Sequence, residues 1–155
     1  MKTVSVPGWG ALHIKHVVLD LNGTITQSGK LIPGVLDRLR RFHAEGLKVY
    51  ILSGDTRGTL AQMFDQTSGI KVITTRDGEE KRAFVESIGP EVTVCIGNGN
   101  IDVPMFKAAR LAICTIQAEG ATTKAMYEAD IVVTHVMDAL DILSDPLKLT
   151  ATLRG

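Results

Sequence analysis

Val17-Val18-Leu19-Asp20-Leu21-Asn22-Gly23-Thr24 is a short apolar run that ends on an acid and is then broken by glycine and threonine. Apolar runs of this length bounded by turn residues read as buried strands. A carboxylate at the carboxyl end of a strand in an open α/β sheet lies in the crevice where such sheets bind ligands. Asp20 is therefore the first candidate for a reacting group, with a helix-cap or turn role as its structural alternative. Asn22 stands two residues on, where a second acid would complete a pair of nucleophile and proton donor.

Outward from this stretch, strand-like and helix-like segments alternate. The predicted strands are His16 to Leu21, Leu47 to Leu52, Lys71 to Thr74, Val92 to Ile96, Leu111 to Cys114 and Ile131 to Val133. Between them, Pro33 opens a helix that carries Val35, Leu36, Leu39 and Phe42 on one face and closes at Gly46. Further helices are expected over about Thr56 to Thr67, Gly78 to Ile88, Ile101 to Arg110 and Thr122 to Ala129. A last one runs from Asp138 to Leu153, interrupted at Asp145-Pro146. Such alternation predicts a parallel sheet with helices on both faces, a three-layer α/β/α arrangement of Rossmann-like kind. Ahead of it, Thr3 to Val6 and Ala11 to Lys15 flank Pro7-Gly8-Trp9-Gly10 and read as a small β-hairpin. With no repeat, linker or low-complexity segment, residues 1–155 are expected to form one domain.

Composition narrows the partners. Lys plus Arg equals Asp plus Glu at 17 each, so no net field favours nucleic acid or an acidic membrane surface. The cluster Arg38, Arg40 and Arg41 fits a solvated helix face. No apolar stretch approaches the ~20 residues needed to cross a bilayer, and Met1 to Gly10 lacks the order of a signal peptide. Cys95 and Cys114 lie inside apolar runs and read as reduced core residues, which makes the cytoplasm the simplest compartment.

Loops after the predicted strands collect polar groups on one sheet edge. Asp20, Asn22 and Thr24 follow the first core strand, and Ser53-Gly54-Asp55-Thr56 follows the second, where helix-start amides and a hydroxyl suit a phosphate. Gly97-Asn98-Gly99-Asn100-Ile101-Asp102 follows the fourth, and Asn98 and Asp102 offer the oxygen donors that Mg²⁺ prefers. Lys81, near the start of a helix, could reach a bound phosphate. Taken singly, Ser53-Gly54 reads as a helix cap and Lys81 as a surface lysine. Together, in this order and on one edge, they read as a site. Gly97-Asn98-Gly99 does not open a dinucleotide fingerprint, because Asp102 occupies the position that needs a third glycine. His13 and His16 are too poorly placed along a strand for a metal pair, and His43 and His135 have no ligand-spaced neighbour.

These residues resemble the haloacid dehalogenase superfamily of aspartate-nucleophile phosphotransferases. Asp20-Leu21-Asn22-Gly23-Thr24 matches its first motif, Ser53 its second, Lys81 its third and Gly97 to Asp102 its fourth. The resemblance runs from His16 to about Val133. Within that superfamily the chain is most similar to the phosphorylation domain of P-type ATPases, through Ser53-Gly54-Asp55-Thr56, Gly97 to Met105 and Ala129 to Val133. The chain looks like a soluble, free-standing member of that branch. The resemblance implies that Asp20 is phosphorylated and that Mg²⁺ is held by Asp20, the Asn22 carbonyl and Asp102. It also implies that Ser53, Gly54, Lys81 and Thr24 hold the phosphate.

Two departures shape the expected activity. Asn22 replaces the usual acid/base Asp, and an amide can neither give nor take the proton. Loss of such a group costs ~10²- to 10⁴-fold, so leaving groups of low pKa are expected to suit the site best. Asn98 stands where an Asp metal ligand is common, and its amide oxygen could coordinate Mg²⁺ or a metal-bound water with one charge fewer. Residues Ile25 to Ile32 leave room for a flap but not a cap domain, and capless relatives take large substrates or close the site with a second subunit, implying a possible homo-oligomer. The expected function is a Mg²⁺-dependent phosphohydrolase acting on a phosphorylated substrate. The alternative is a non-catalytic phosphate- or phosphoprotein-binding module.

Overall fold

The computed structural model describes residues 1–54, 64 and 69–155. Its centre is a six-stranded sheet in the order β10-β9-β8-β3-β6-β7, with every neighbouring pair parallel. The strands are β3 (His16–Asp20), β6 (Lys48–Ser53), β7 (Ile70–Thr74), β8 (Thr93–Gly97), β9 (Leu111–Thr115) and β10 (Ile131–Val133). All lie within a residue or two of their predicted bounds. β3, β8 and β9 are buried at every position. That burial accounts for their continuous rather than alternating apolar sequence.

Two cores result from the period of two along each strand. Val17, Leu19, Val49, Ile51, Val94 and Ile96 pack on one face against Val35, Leu39, Phe42, Val136 and Leu140. Val18, Leu52, Cys95, Ala112 and Cys114 pack on the other against Val85, Met105, Phe106 and Ala125. The first face is covered by α1 (Val35–Ala44), α5 (Val136–Ser144) and α6 (Pro146–Leu153). The second is covered by α2 (Gly78–Ile88), α3 (Val103–Ala108) and α4 (Thr123–Glu128). Burial pushes the thiol pKa of Cys95 and Cys114 upward, as expected for inert core residues.

The hairpin of β1 (Lys2–Val6) and β2 (Gly10–Ile14) pairs antiparallel. Trp9 at its turn stacks under the Arg110 guanidinium, 4.0 Å from the ring centroid. His13 therefore belongs to β2 and His16 to β3, not to one strand; His13 faces Thr3 Oγ1 at 3.1 Å. The expected helix over Thr56 to Thr67 lies outside the described residues apart from Phe64, which is helical and buried. Two helix starts differ from expectation. The turn Asn100–Asp102 is 3₁₀, so the helix begins only at Val103, followed by Pro104. The C-terminal helix starts at Val136, because His135 Nδ1 accepts from the Met137 amide and caps it earlier than Asp138. Between β3 and α1 the chain forms only a small antiparallel flap, β4 (Thr26–Gln27) with β5 (Lys30–Leu31). Among the described residues no helix is long and apolar enough to cross a membrane.

Candidate active site

Strand order reverses at β3. The chain runs from β3 outward through β6 to β7, then returns to the other side as β8, β9 and β10. A crevice therefore opens at the carboxyl ends of β3 and β8, where diverging connections leave the strand ends uncovered. Asp20 ends β3 in that crevice, opposite Leu52 of β6. A cleft of about 420 Å³ lies there. Six of the eight residues singled out from the sequence line it: Asp20, Asn22, Ser53, Gly54, Lys81 and Asn98. The other two, Thr24 and Asp102, are wholly buried beside it. Ile101, exposed at the rim, also lines the cleft. The helix-start amides expected after Gly54 lie outside the described residues.

Lys81 is not a surface lysine. Asp77 caps α2 by accepting from the Glu80 amide at 2.9 Å, which sets the first turn so that Lys81 faces inward. Gly78 lets this turn approach the fourth loop. A side chain there would start 2.9 Å from the Ile101 carbonyl and 2.8 Å from Pro104 Cγ. The Lys81 ammonium, 2 % exposed, then donates to Asp20 Oδ1 at 2.6 Å and to Asp102 Oδ1 at 2.8 Å. The second oxygen of Asp102 accepts from the amides of Asn98 at 2.9 Å and Gly99 at 3.1 Å. Gly97 is required for that turn, because a Cβ would lie 2.4 Å from Asp102 Oδ2.

Among the described residues, two buried carboxylates share one ammonium, one negative charge more than positive. Burial first, and then the charge of Asp102, push the Asp20 carboxyl up to about 6, against the opposing pull of Lys81. Burial alone would lower the Lys81 pKa, but the two carboxylates outweigh it and hold the ammonium charged.

The supporting contacts come from a loop whose role the sequence did not reveal. Gln117, two residues past β9, donates from Nε2 to the carbonyls of Gly23 at 3.2 Å and Thr24 at 2.9 Å. Its Oε1 accepts from the Val136 amide at 2.8 Å. Glu119 accepts from the Ser28 amide of the flap at 3.1 Å. Asn98 donates from Nδ2 to the Gly120 carbonyl at 3.1 Å, while its Oδ1 accepts from the Thr24 hydroxyl at 3.4 Å. An aspartate at position 98 could not make the first of these bonds. The only available hint was a polar residue placed just after an apolar run, which is too common to single out Gln117.

The donor set fits Mg²⁺. Among the described residues no cluster of three or more His, Cys, Asp or Glu side chains could enclose a metal. Asp20 and Asp102 are hard oxygen donors, and their uncompensated charge is what a divalent cation would offset. Mg²⁺ is commonly bound by one or two carboxylates, with waters and substrate phosphate completing its shell, so a site with few protein ligands suits it.

Comparisons with known proteins identify the family and the fold. The family model described as haloacid dehalogenase-like hydrolase matches residues 25–110, which is more than half of the chain and begins just after the Asp20 loop. A soluble P-type ATPase-like phosphatase of Methanocaldococcus jannaschii is 28% identical over 140 residues, covering 87% of this chain and 51% of that protein. The chain thus spans about half the length of that curated relative. A Streptomyces avermitilis protein described as a HAD family hydrolase superposes with a TM-score of 0.68 at 23% identity, over 90% of this chain and 87% of that one. A Moraxella catarrhalis 3-deoxy-D-manno-octulosonate 8-phosphate phosphatase, solved with magnesium, phosphate and KDO, gives a TM-score of 0.68 at 14% identity. The match covers 91% of this chain and 90% of that one. At these identities the structures establish a shared fold.

Proposed function

Because the chain belongs to the haloacid dehalogenase-like hydrolases, we propose that it is a Mg²⁺-dependent phosphohydrolase in which residues 1–155 work as one unit and Asp20 is the nucleophile. The observation that carries this reading is the buried Asp20–Lys81–Asp102 array at the floor of a cleft at the sheet's switch point. An Asp20 oxygen would attack phosphorus as the bond to the leaving oxygen breaks, the leaving group keeping the electron pair. Water would then attack the aspartyl-phosphate and release phosphate, returning Asp20 to its carboxylate. Asp20, Asp102 and the Asn22 carbonyl would hold Mg²⁺, which supplies charge neutralisation between carboxylate and phosphate. The Asn98 oxygen, already engaged with Thr24, would contribute to that cation through water.

Lys81, Ser53 and the Gly54 amide would hold the phosphate oxygens, where positioning and electrostatics supply most of the catalysis. Asn22 lines the cleft but has no proton to give, so the departing oxygen must leave as an anion. Aryl phosphates, acyl phosphates and anhydrides are the substrate classes this favours. Between β3 and α1 the chain inserts a two-strand flap and no cap domain, which would leave room for a phosphorylated small molecule or a larger phosphorylated partner.

The test is turnover of an aryl phosphate with and without Mg²⁺, with Asp20→Asn as control. Activity is expected to need the metal and to vanish in the variant; turnover that survives Asp20→Asn would refute the proposal. The second reading, a phosphate-binding module without turnover, is favoured by Asn22. Beryllofluoride and Mg²⁺ binding without any hydrolysis would establish it instead.

A further inference from the structure

The loop after β9 reaches into the candidate site at several points, yet no residue of it lines the cleft. Gln117 is the centre of these contacts. Its half-buried carboxamide is engaged at both ends: Nε2 donates to consecutive carbonyls of the Asp20 loop, with Thr115 Oγ1 a longer partner at 3.4 Å, and the oxygen takes the first amide of α5. Those carbonyls belong to Gly23 and Thr24, immediately after Asn22. Gly23 has φ 78°, a left-handed conformation. The amides of Thr24, Ile25 and Thr26 all converge on the Leu21 carbonyl, at 3.4, 3.1 and 3.2 Å. In this tight winding the Gly23 and Thr24 carbonyls take none of these amides, and a donor must come from elsewhere. Gln117 provides it.

The same loop holds the fourth catalytic segment. Asn98 donates to the Gly120 carbonyl, and the Thr122 amide donates back to the Asn98 carbonyl at 3.0 Å. The residues from Gln117 to Thr122 therefore bind the loops of β3 and β8 to one common support.

We infer that Gln117 is a positioning residue that sets the Asn22–Thr24 backbone relative to Asp20, and through it the cation affinity and turnover of the site. The catalytic part of this inference rests on the phosphohydrolase reading above. The placement part does not. A displacement of about 1 Å at a reacting centre can cost ~10²-fold in rate, so the orientation of these carbonyls matters even though Gln117 touches no substrate.

Two variants separate positioning from general support. Gln117→Glu keeps an acceptor for the Val136 amide but has no hydrogens for Gly23 and Thr24. Gln117→Leu removes both contacts. Hydrogen exchange over residues 21–26 reads the loop directly, and Mg²⁺ titration calorimetry and aryl phosphate kinetics read the consequence. Both variants should speed exchange in residues 21–26 at least ~10-fold. Both should weaken Mg²⁺ binding severalfold, and both should lower kcat by ~10- to 100-fold. Only Gln117→Leu should also loosen the start of α5. Wild-type exchange, Mg²⁺ affinity and kcat in Gln117→Glu would overturn the inference. Faster loop exchange in a protein whose wild-type form neither binds Mg²⁺ nor depends on Asp20 would refute the catalytic part together with the phosphohydrolase reading. The loop-setting role of Gln117 would stand in that case.

Discussion

Replacing Lys81 by Met keeps the length of the side chain and removes the ammonium that bridges Asp20 and Asp102. In the wild type these three side chains are 2 %, 12 % and 0 % exposed, so water cannot readily take over the role of the ammonium. Breaking a buried ion pair by deleting one partner costs ~3–5 kcal/mol, because the remaining charge is left uncompensated. For a chain of this size that corresponds to a fall in Tm of roughly 6–20 °C. The effect must depend on pH, and its sign follows from Asp20. Its folded pKa of about 6 lies above the ordinary 3.8. The stability it contributes is thus fully present below pH ~4 and is lost as pH rises through ~6, a change of ~3 kcal/mol for a shift of about two units. Without Lys81 the carboxyl rises further, so Lys81→Met should lose most stability above pH 7 and recover part of it near pH 5. Adding Asp20→Asn to Lys81→Met should restore part of the loss at neutral pH. Thermal melts of the metal-free proteins from pH 4.5 to 8 measure all of this. A Tm for Lys81→Met within about 2 °C of wild type at every pH would refute the charge argument.

Other expectations concern the same site. Asn22→Asp should raise hydrolysis of alkyl phosphates by ~10²- to 10⁴-fold while changing aryl phosphates much less, since only the poor leaving group needs the proton; equal rates on both classes would remove that account of Asn22. Mg²⁺ should raise the wild-type Tm above pH 7 and much less at pH 5, where the Asp20 carboxyl is largely protonated, and chelation should reverse the gain. Gly97→Ala places a methyl 2.4 Å from Asp102 Oδ2, so it should displace that carboxylate from the Asn98 and Gly99 amides. A loss of about 2 kcal/mol in urea unfolding, with weakened Mg²⁺ binding, is the expected reading.

Much of the chain was legible from its letters alone. The β3 run from His16 to Asp20 announced itself as a buried strand because parallel strands covered on both faces need apolar residues at consecutive positions. α2 runs from Gly78 to Ile88 as expected, and the structure shows its local cause in Asp77 as cap and Gly89-Pro90 after its last residue. Where a helix was started by an unusual cap, as at His135, or preceded by a 3₁₀ turn, as at Asn100, the sequence misplaced its first residue. Asp20, Asn22, Ser53 and Asn98 were legible as a group lining one cleft because ligand-binding loops in such sheets follow strand ends, a relation that needs no knowledge of distances.

Other properties belong to the fold. Lys81 among Glu79, Glu80 and Arg82 has the surroundings of a surface residue; only the close approach of α2 to the Asn100–Asp102 turn, permitted by Gly78, buries it between two carboxylates. The raised pKa of Asp20 follows from that burial and from a neighbour 82 positions away in the chain. Gln117 has no motif at all. Its partners, Gly23, Thr24 and Val136, lie far apart in sequence and converge only because β9 ends beside the strand-end crevice. Local chemistry is written in short spacings, whereas charge balance and loop support depend on which distant groups the packing brings into contact.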